Sequence, residues 1–274
     1  MPTIHCHLSH SLWRALHTRQ QATGESLDHL IRTALADYLQ VQHSTLFQVS
    51  TSGALVEGIY KGEVSIATLK AHGDFGLGTF EGLDGEMVVL DGRFYQVQSD
   101  GKVSEVDDEV RTPFAVITRF VPERTVDVTD CPTFAALMGH LDRLRQSNNV
   151  FFAIRADGEF EYVRTRAMCK TEEGIPLVQA AAVQPEFESH GVTGTLVGFW
   201  TPEYVKTLNV AGYHFHFLTD DRLSGGHLLD CSARRLRIQI QHEGDFRMSL
   251  PESQEFLKAD LSRDPSTDMD KAER

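Results

Sequence analysis

The run Gly212-Tyr213-His214-Phe215-His216-Phe217, continued by Leu218-Thr219-Asp220-Asp221-Arg222-Leu223-Ser224-Gly225-Gly226 and then His227, decides how the rest of the chain is read. Its first part alternates as a β-strand does, so His214 and His216 share one face while Tyr213, Phe215 and Phe217 share the other. The polar, glycine-rich middle predicts a turn, after which His227 opens a second strand beside the first. Three neutral imidazoles facing one point, with a coordination position left over, are the pattern of a catalytic rather than a structural metal site. Spacing alone leaves a second reading open, in which His-x-His is ordinary strand-surface chemistry.

A chain of 274 residues holds one large domain or two ordinary ones. No stretch approaches the roughly 20 apolar residues of a membrane-spanning helix, and the N-terminus lacks the basic start and apolar run of a secretory signal, so a cytoplasmic address is expected. Cys6, Cys131, Cys169 and Cys231 are scattered without Cys-x-x-Cys, which suggests neither a disulfide framework nor a thiolate metal knuckle. The net charge of −13 argues against wide, nonspecific nucleic-acid binding, although one small basic reader is compatible with it.

Residues 1–43 differ in texture from everything after them. Thr3 to Leu8 alternates and predicts a short strand, with Thr3, His5 and His7 on one face. A first helix is expected from Ser9 or Ser11 to a stop at Gly24, and a second from an N-cap at Ser26, with Leu27, Leu30, Ile31, Ala34, Leu35, Tyr38 and Leu39 at helical spacing. So small a unit cannot bury its own apolar faces, and pairing with a second copy is the simplest remedy. The order strand-helix-turn-helix resembles a ribbon-helix-helix module, in which paired strands enter the DNA major groove. Thr3, His5 and His7 would then face the bases, but none is an Arg, Lys, Asn or Gln, the side chains suited to bidentate base contacts. Arg14, Arg19 and Arg32 are balanced by Glu25, Asp28 and Asp37. Dimerisation is therefore favoured over DNA binding through residues 1–42. His5 and His7 also form a rival metal pair, for which a solvated strand face is the preferred reading.

Beyond residue 44 the chain becomes strand-rich. Glu86 to Val97, with Asp91-Gly92 at its centre, reads as a hairpin. Asp100-Gly101 and Asp157-Gly158 repeat the signal, the latter predicting a turn between strands at 150–155 and 160–166. Helices are expected over Glu63–His72 and Thr133–Gln146, and residues 258–274 read as a polar tail. His-Glu-x-x-His is absent, which disfavours a metalloprotease. The run His72-Gly73-Asp74-Phe75-Gly76-Leu77-Gly78-Thr79-Phe80 matches neither a dinucleotide fingerprint nor, lacking its companion motifs, a kinase; its glycines predict a tight turn with close backbone approach.

Taken in order, Gln48-Val49-Ser50-Thr51, the run His72 to Phe80, Leu83-Asp84-Gly85-Glu86, Thr112-Pro113-Phe114-Ala115, Thr165-Arg166, Gly191-Val192-Thr193-Gly194-Thr195, Gly198-Phe199-Trp200-Thr201-Pro202 and the histidine segment resemble the α-acetolactate decarboxylases over about residues 45–274. The resemblance implies an α+β fold with two β-rich lobes, here 44–148 and 149–274, a zinc site between them, and a homodimer. It implies Zn2+ ligands at His214, His216 and His227, a catalytic carboxylate at Glu86, an active-site arginine at Arg166, and a tail glutamate whose nearest counterpart is Glu273. Thr79 is the candidate to reach the substrate beside Arg166. The tail departs locally from the family pattern around Pro265, and Cys169 and Thr171 stand where the family often has acidic or aromatic residues.

The implied reaction, 2-acetolactate to acetoin and carbon dioxide, suits these groups. Loss of CO2 from a β-keto acid sends electrons into the neighbouring ketone as an enediolate, which a metal chelated by ketone and hydroxyl oxygens would stabilise. Arg166 would orient the substrate by a charge-assisted bond, and Glu86 would return the proton. Imidazole ligation alone suits zinc, iron and copper; only the resemblance selects zinc. The alternative reading is a DNA-associated regulator whose decarboxylase-like body senses a keto acid without turnover.

Overall fold

The computed structural model describes residues 5–39 and 45–273, and the chain divides into two compact units, 1–43 and 44–274. In the first unit, helix α1 (His10–Thr23) starts where the Ser9 hydroxyl accepts from the Leu12 amide at 3.3 Å and stops at Gly24, whose φ of 75° is cheap only for glycine. Helix α2 (Leu27–Leu39) starts where Ser26 accepts from the His29 amide at 3.1 Å. Neither helix buries a residue. The predicted N-terminal strand is not formed over His5–Leu8; a strand needs a ladder partner, and no strand among the described residues pairs with these. Its other residues, Thr3 and Ile4, lie outside the described residues.

The second unit begins with β1 (Thr45–Val49), α3 (Ser52–Val56), β2 (Val64–Ser65), α4 (Ile66–His72), β3 (Phe75–Thr79), β4 (Glu86–Leu90), β5 (Arg93–Val97), β6 (Val103–Glu105), β7 (Arg111–Thr112) and β8 (Ala115–Thr118). It continues through β9 (Arg124–Cys131), α5 (Phe134–Leu144), β10 (Phe151–Arg166), α6 (Leu177–Ala181) and β11 (Glu186–Thr201). It ends with β12 (Gly212–Thr219), β13 (Gly225–Glu243), β14 (Asp245–Ser249), α7 (Gln254–Lys258) and α8 (Ser266–Glu273). Seven strands form one sheet in the order β14-β1-β8-β3-β4-β5-β6, and five form a second in the order β10-β11-β12-β13-β9, with β10 also paired to β13.

One apolar core lies between the sheets, joining Leu77 and Val88 of the first to Ala153 and Val197 of the second. A second covers the outer face of the five-stranded sheet with Leu137 and Leu141 of α5, and a third covers the other sheet with Ile66 and Leu69 of α4. Each fully buried Leu or Ile contributes roughly 1.5–3 kcal/mol. The expected lobe boundary at residue 148 does not follow the sheets: β9 belongs to the five-stranded sheet and β14 returns to pair with β1. Hydrogen-bond partners at long range, rather than order along the chain, set sheet membership.

The Asp91-Gly92 hairpin forms, with φ of 52° and 77° at its two turn residues. Asp157-Gly158 makes no turn. Strand β10 runs through it, with Gly158 opposite Gly194 on one side and Leu236 on the other. A Cβ at Gly158 would lie 2.0 Å from the Arg235 carbonyl oxygen, so the glycine serves close strand approach. Of the 72–80 glycines, Gly73 ends α4 while Gly76 and Gly78 lie in strand β3 rather than a tight turn, and side chains at Gly76 and Gly78 would strike the carbonyls of Val116 and Phe114. Helix α4 starts later than expected because the Ser65 hydroxyl caps the Thr68 amide. Helix α5 lies inside its expected range, with Thr133 as the cap. The tail is not free: α7 and α8 order it, and α8 buries Met269 and Ala272.

Candidate functional site

Alternation in β12 puts His214 and His216 on one face, opposite Phe215 and Phe217, and the turn after Thr219 returns the chain so that His227 of β13 pairs directly with His216. The three rings are buried, and their candidate ligand nitrogens all lie within 4.8 Å of one another. A backbone carbonyl can only accept, which settles two of the tautomers. His216 donates from Nδ1 to the Met87 carbonyl at 2.8 Å, freeing Nε2; His227 donates from Nε2 to the Glu273 carbonyl at 3.0 Å, freeing Nδ1. His214 Nε2 lies 3.2 Å from that freed nitrogen. Such outer bonds orient ligand rings in metal sites. Because Met87 belongs to β4, the His216 bond also joins the two sheets at the site.

Two carboxylates border the triad. Glu86 Oε2 is 3.5 Å from His216 Nε2, and Glu86 Oε1 accepts from the Met168 amide at 3.1 Å. Glu273 Oε2 is 3.5 Å from His214 Nε2 and 3.4 Å from His227 Nδ1. Arg166, at the end of β10, pairs in register with His227 and donates to the Ala272 carbonyl, which anchors α8 over the site. Thr79 lines the same cavity but spends its hydroxyl hydrogen on the Gly85 carbonyl, 2.8 Å away.

Burial dominates the electrostatics. It lowers His214 to about 3, with the Arg166 charge adding to the effect, and it holds His216 and His227 well below the ordinary histidine range. All three rings are therefore neutral, as metal ligation requires. Burial also pushes Glu86 up to about 8, reinforced by Glu273 and opposed by Arg166 and the Met168 amide. Glu273 rises to about 7 by burial against the lowering effect of Arg166. The donor set thus fits a divalent metal, with two buried carboxyls beside it.

The cavity is small, about 50 Å³ to the centre of a water-sized sphere, which suits a compact acid and not a peptide. Its strand side carries Glu86, Arg166 and the three histidines; its helix side carries Ser52, Leu177, Gln184 and Met269. The structure brings together His214, His216, His227, Glu86, Arg166, Glu273 and Thr79. His5 and His7 are exposed and lie in the other unit. Sequence reasoning missed the Met168 amide and the Met87 carbonyl, since backbone groups carry no residue signature, and it missed Ser52 and Gln184, which lie in or beside short helices without a motif.

Fold and site together define a mixed α/β protein of two packed sheets, with a buried histidine triad able to hold a metal ion and acid groups beside it. The family model "Alpha-acetolactate decarboxylase" matches residues 46–263. A protein of that name from Methanosarcina mazei is 41% identical over 251 residues, covering 91% of this chain and 86% of its own length. One from Methylococcus capsulatus is 45% identical over 229 residues, covering 83% and 88%. The crystal structure of alpha-acetolactate decarboxylase from Bacillus subtilis strain 168 superposes with a TM-score of 0.81 at 36% identity, covering 84% of this chain and 99% of that one. The chain belongs to the alpha-acetolactate decarboxylase family, whose members are carboxy-lyases. The alternative reading as a DNA-associated regulator gains no support from these relatives. Among the described residues no helix is long and apolar enough to cross a membrane.

Proposed function

We propose that this chain decarboxylates 2-acetolactate to acetoin and carbon dioxide, with Zn2+ held by His214, His216 and His227. The observation that carries the reading is the convergence of the three neutral imidazoles with Glu86, Arg166 and Glu273 around one small cavity. When bound, the metal supplies Lewis acidity for the negative charge that develops on the substrate's ketone and hydroxyl oxygens.

The chain's own groups do the rest. Arg166, a fixed cation held by the Ala272 carbonyl, orients the substrate carboxylate by a charge-assisted bond. Leu177 and Met269 on the helix side exclude water, which strengthens these interactions and keeps stray protons from the enediolate left by CO2 loss. Glu86, held by the Met168 amide on one oxygen, presents its proton to that carbon from one face, which sets the handedness of the product. Glu273 adds to the effect of burial in raising the neighbouring carboxyl, and its own oxygen lies beside two of the rings.

A homodimer also belongs to this reading, paired through the exposed apolar residues Leu12, Trp13, Leu35 and Leu39 of the first unit. DNA binding by that unit does not. The test is purified, zinc-loaded protein with acetolactate as substrate and acetoin as readout. Turnover that survives His216→Ala unchanged would sink the metal assignment, and no turnover at all would sink the reaction.

A further inference from the structure

The helix side of the cavity holds two polar groups that the reaction leaves unused. Ser52 is completely buried, and its Oγ has no hydrogen-bond partner among the described residues. The same holds for Gln184 Oε1, a buried atom just past α6. Both side chains line the cavity that the triad faces. A buried hydroxyl or amide oxygen left unpaired is a standing cost to the fold, and two at one ligand cavity require an explanation.

The surroundings hold Ser52 in place rather than tolerate it. Helices α3, α6 and α8 pack against one another, so the two groups share one wall. The Ser52 amide is already satisfied by the Leu208 carbonyl at 2.9 Å. Gln48, fully buried, donates to the carbonyls of Ser50 and Leu208 at 2.8 and 2.7 Å, and accepts from Asn209 at 2.9 Å. Ser50 itself is kept at φ 59°, a costly conformation for a residue other than glycine and one found preferentially near functional sites. With its backbone fixed in this way, only the Ser52 side chain is left without a partner.

The geometry points to a second polar station in the cavity, formed by Ser52 and Gln184, that recognises a hydroxyl on a terminal carbon of the substrate. A hydroxyl can accept from Ser52 Oγ–H while it donates to Gln184 Oε1, whereas a methyl group satisfies neither. Besides acetolactate, the cavity then takes 2-hydroxy-3-oxo acids of its size that carry one more hydroxyl. The inference rests on the proposed reaction only for the substrate core. An acid that fills the station gains these bonds over one that lacks the hydroxyl.

The test separates binding from turnover. Non-reacting 2,3-dihydroxy-2-methylbutanoate is compared by calorimetry on the zinc-loaded protein with its two analogues hydroxylated at either terminal carbon. At least one hydroxylated acid is expected to bind about tenfold or more tightly, and Ser52→Ala and Gln184→Met are each expected to abolish that preference. The thermal midpoint of the ligand-free Ser52→Ala protein should be unchanged or higher, since the variant removes an unpaired buried group. Equal binding of all three acids by the unaltered protein overturns the station, and so does a preference that survives both substitutions or is lost only with a lowered midpoint in both. Turnover of acetolactate without the preference defeats this inference alone; the preference without turnover of any keto acid defeats the proposed reaction and leaves the station standing.

Discussion

Glu86 and Glu243 are two buried glutamates, and burial raises both to about 8. Their surroundings differ. Glu86 faces His216 in a cavity, with Arg166 and Glu273 close by. Glu243 ends β13 in the sheet interior, where Gln241 donates to its Oε1 at 3.0 Å; Thr118 and Gln241 oppose the rise, while Glu123 and Asp245 add to it. Equal perturbation thus accompanies a cavity-lining position in one region and a sheet-interior one in the other. A shifted carboxyl marks a functional site only where a cavity and chemical partners accompany it.

The largest effect should come from the metal ligands that Glu86 borders and Glu243 does not. His216→Ala is expected to lower acetoin formation by at least about 10³-fold, because a Lewis acid supplies several kcal/mol to the transition state. Metal analysis of the variant should show the loss of zinc with it. Next comes the proposed proton donor: Glu86→Gln keeps the shape and the Met168 bond but holds no transferable proton, so kcat should fall by about 10²–10⁴-fold. Its thermal midpoint should hold at neutral pH, since a carboxyl raised to about 8 is already largely neutral there. A Glu86→Gln enzyme with near-normal kcat would assign the proton to another group.

Arg166→Lys keeps the charge and loses the planar fork. A rise in KM of about 10- to 100-fold is expected, the range for one charge-assisted hydrogen bond, and an unchanged KM would remove Arg166 from substrate binding. Glu243→Gln should leave kcat untouched and act on stability. A carboxyl whose folded pKa exceeds its unfolded value near 4.5 contributes stability that is complete below that value and is lost as pH rises toward about 8. The variant should therefore gain in thermal midpoint over the parent at pH 8, and the gain should vanish by about pH 4; equal differences at both pH values would show that Glu243 is ionised in the fold. Smallest of all, removal of residues 1–43 should leave kcat unchanged and weaken self-association measured by sedimentation. Unchanged association would place the dimer contact in the second unit.

Much of the site was legible because it rests on local pattern. The alternation of His214 and His216 needs only a strand, and the return of His227 needs only a turn; both are settled by neighbours in sequence. The same holds for the Asp91-Gly92 hairpin, the helix stop at Gly24 and the N-cap at Ser26. Glu86 and Arg166 were reached through ordered motifs rather than geometry. Where the reading went astray, a distant partner prevailed. Asp157-Gly158 carries a good turn signal, yet strands on both sides offer β10 an unbroken ladder, and the glycine admits the Arg235 carbonyl. The N-terminal alternation met the reverse situation, since no strand among the described residues pairs with His5–Leu8.

The amino-acid sequence by itself determined the donor set, the strand that aligns two of its members and the family to which the chain belongs, because side-chain chemistry and short-range periodicity are local properties. Only the tertiary structure decided that α8 returns Glu273 to the rings and that Met87 and Met168 supply the backbone contacts. It also decided that Ser52 and Gln184, 132 positions apart, line one cavity without partners. Those relations depend on sheet register and helix packing between segments far apart in the chain, which no local rule encodes.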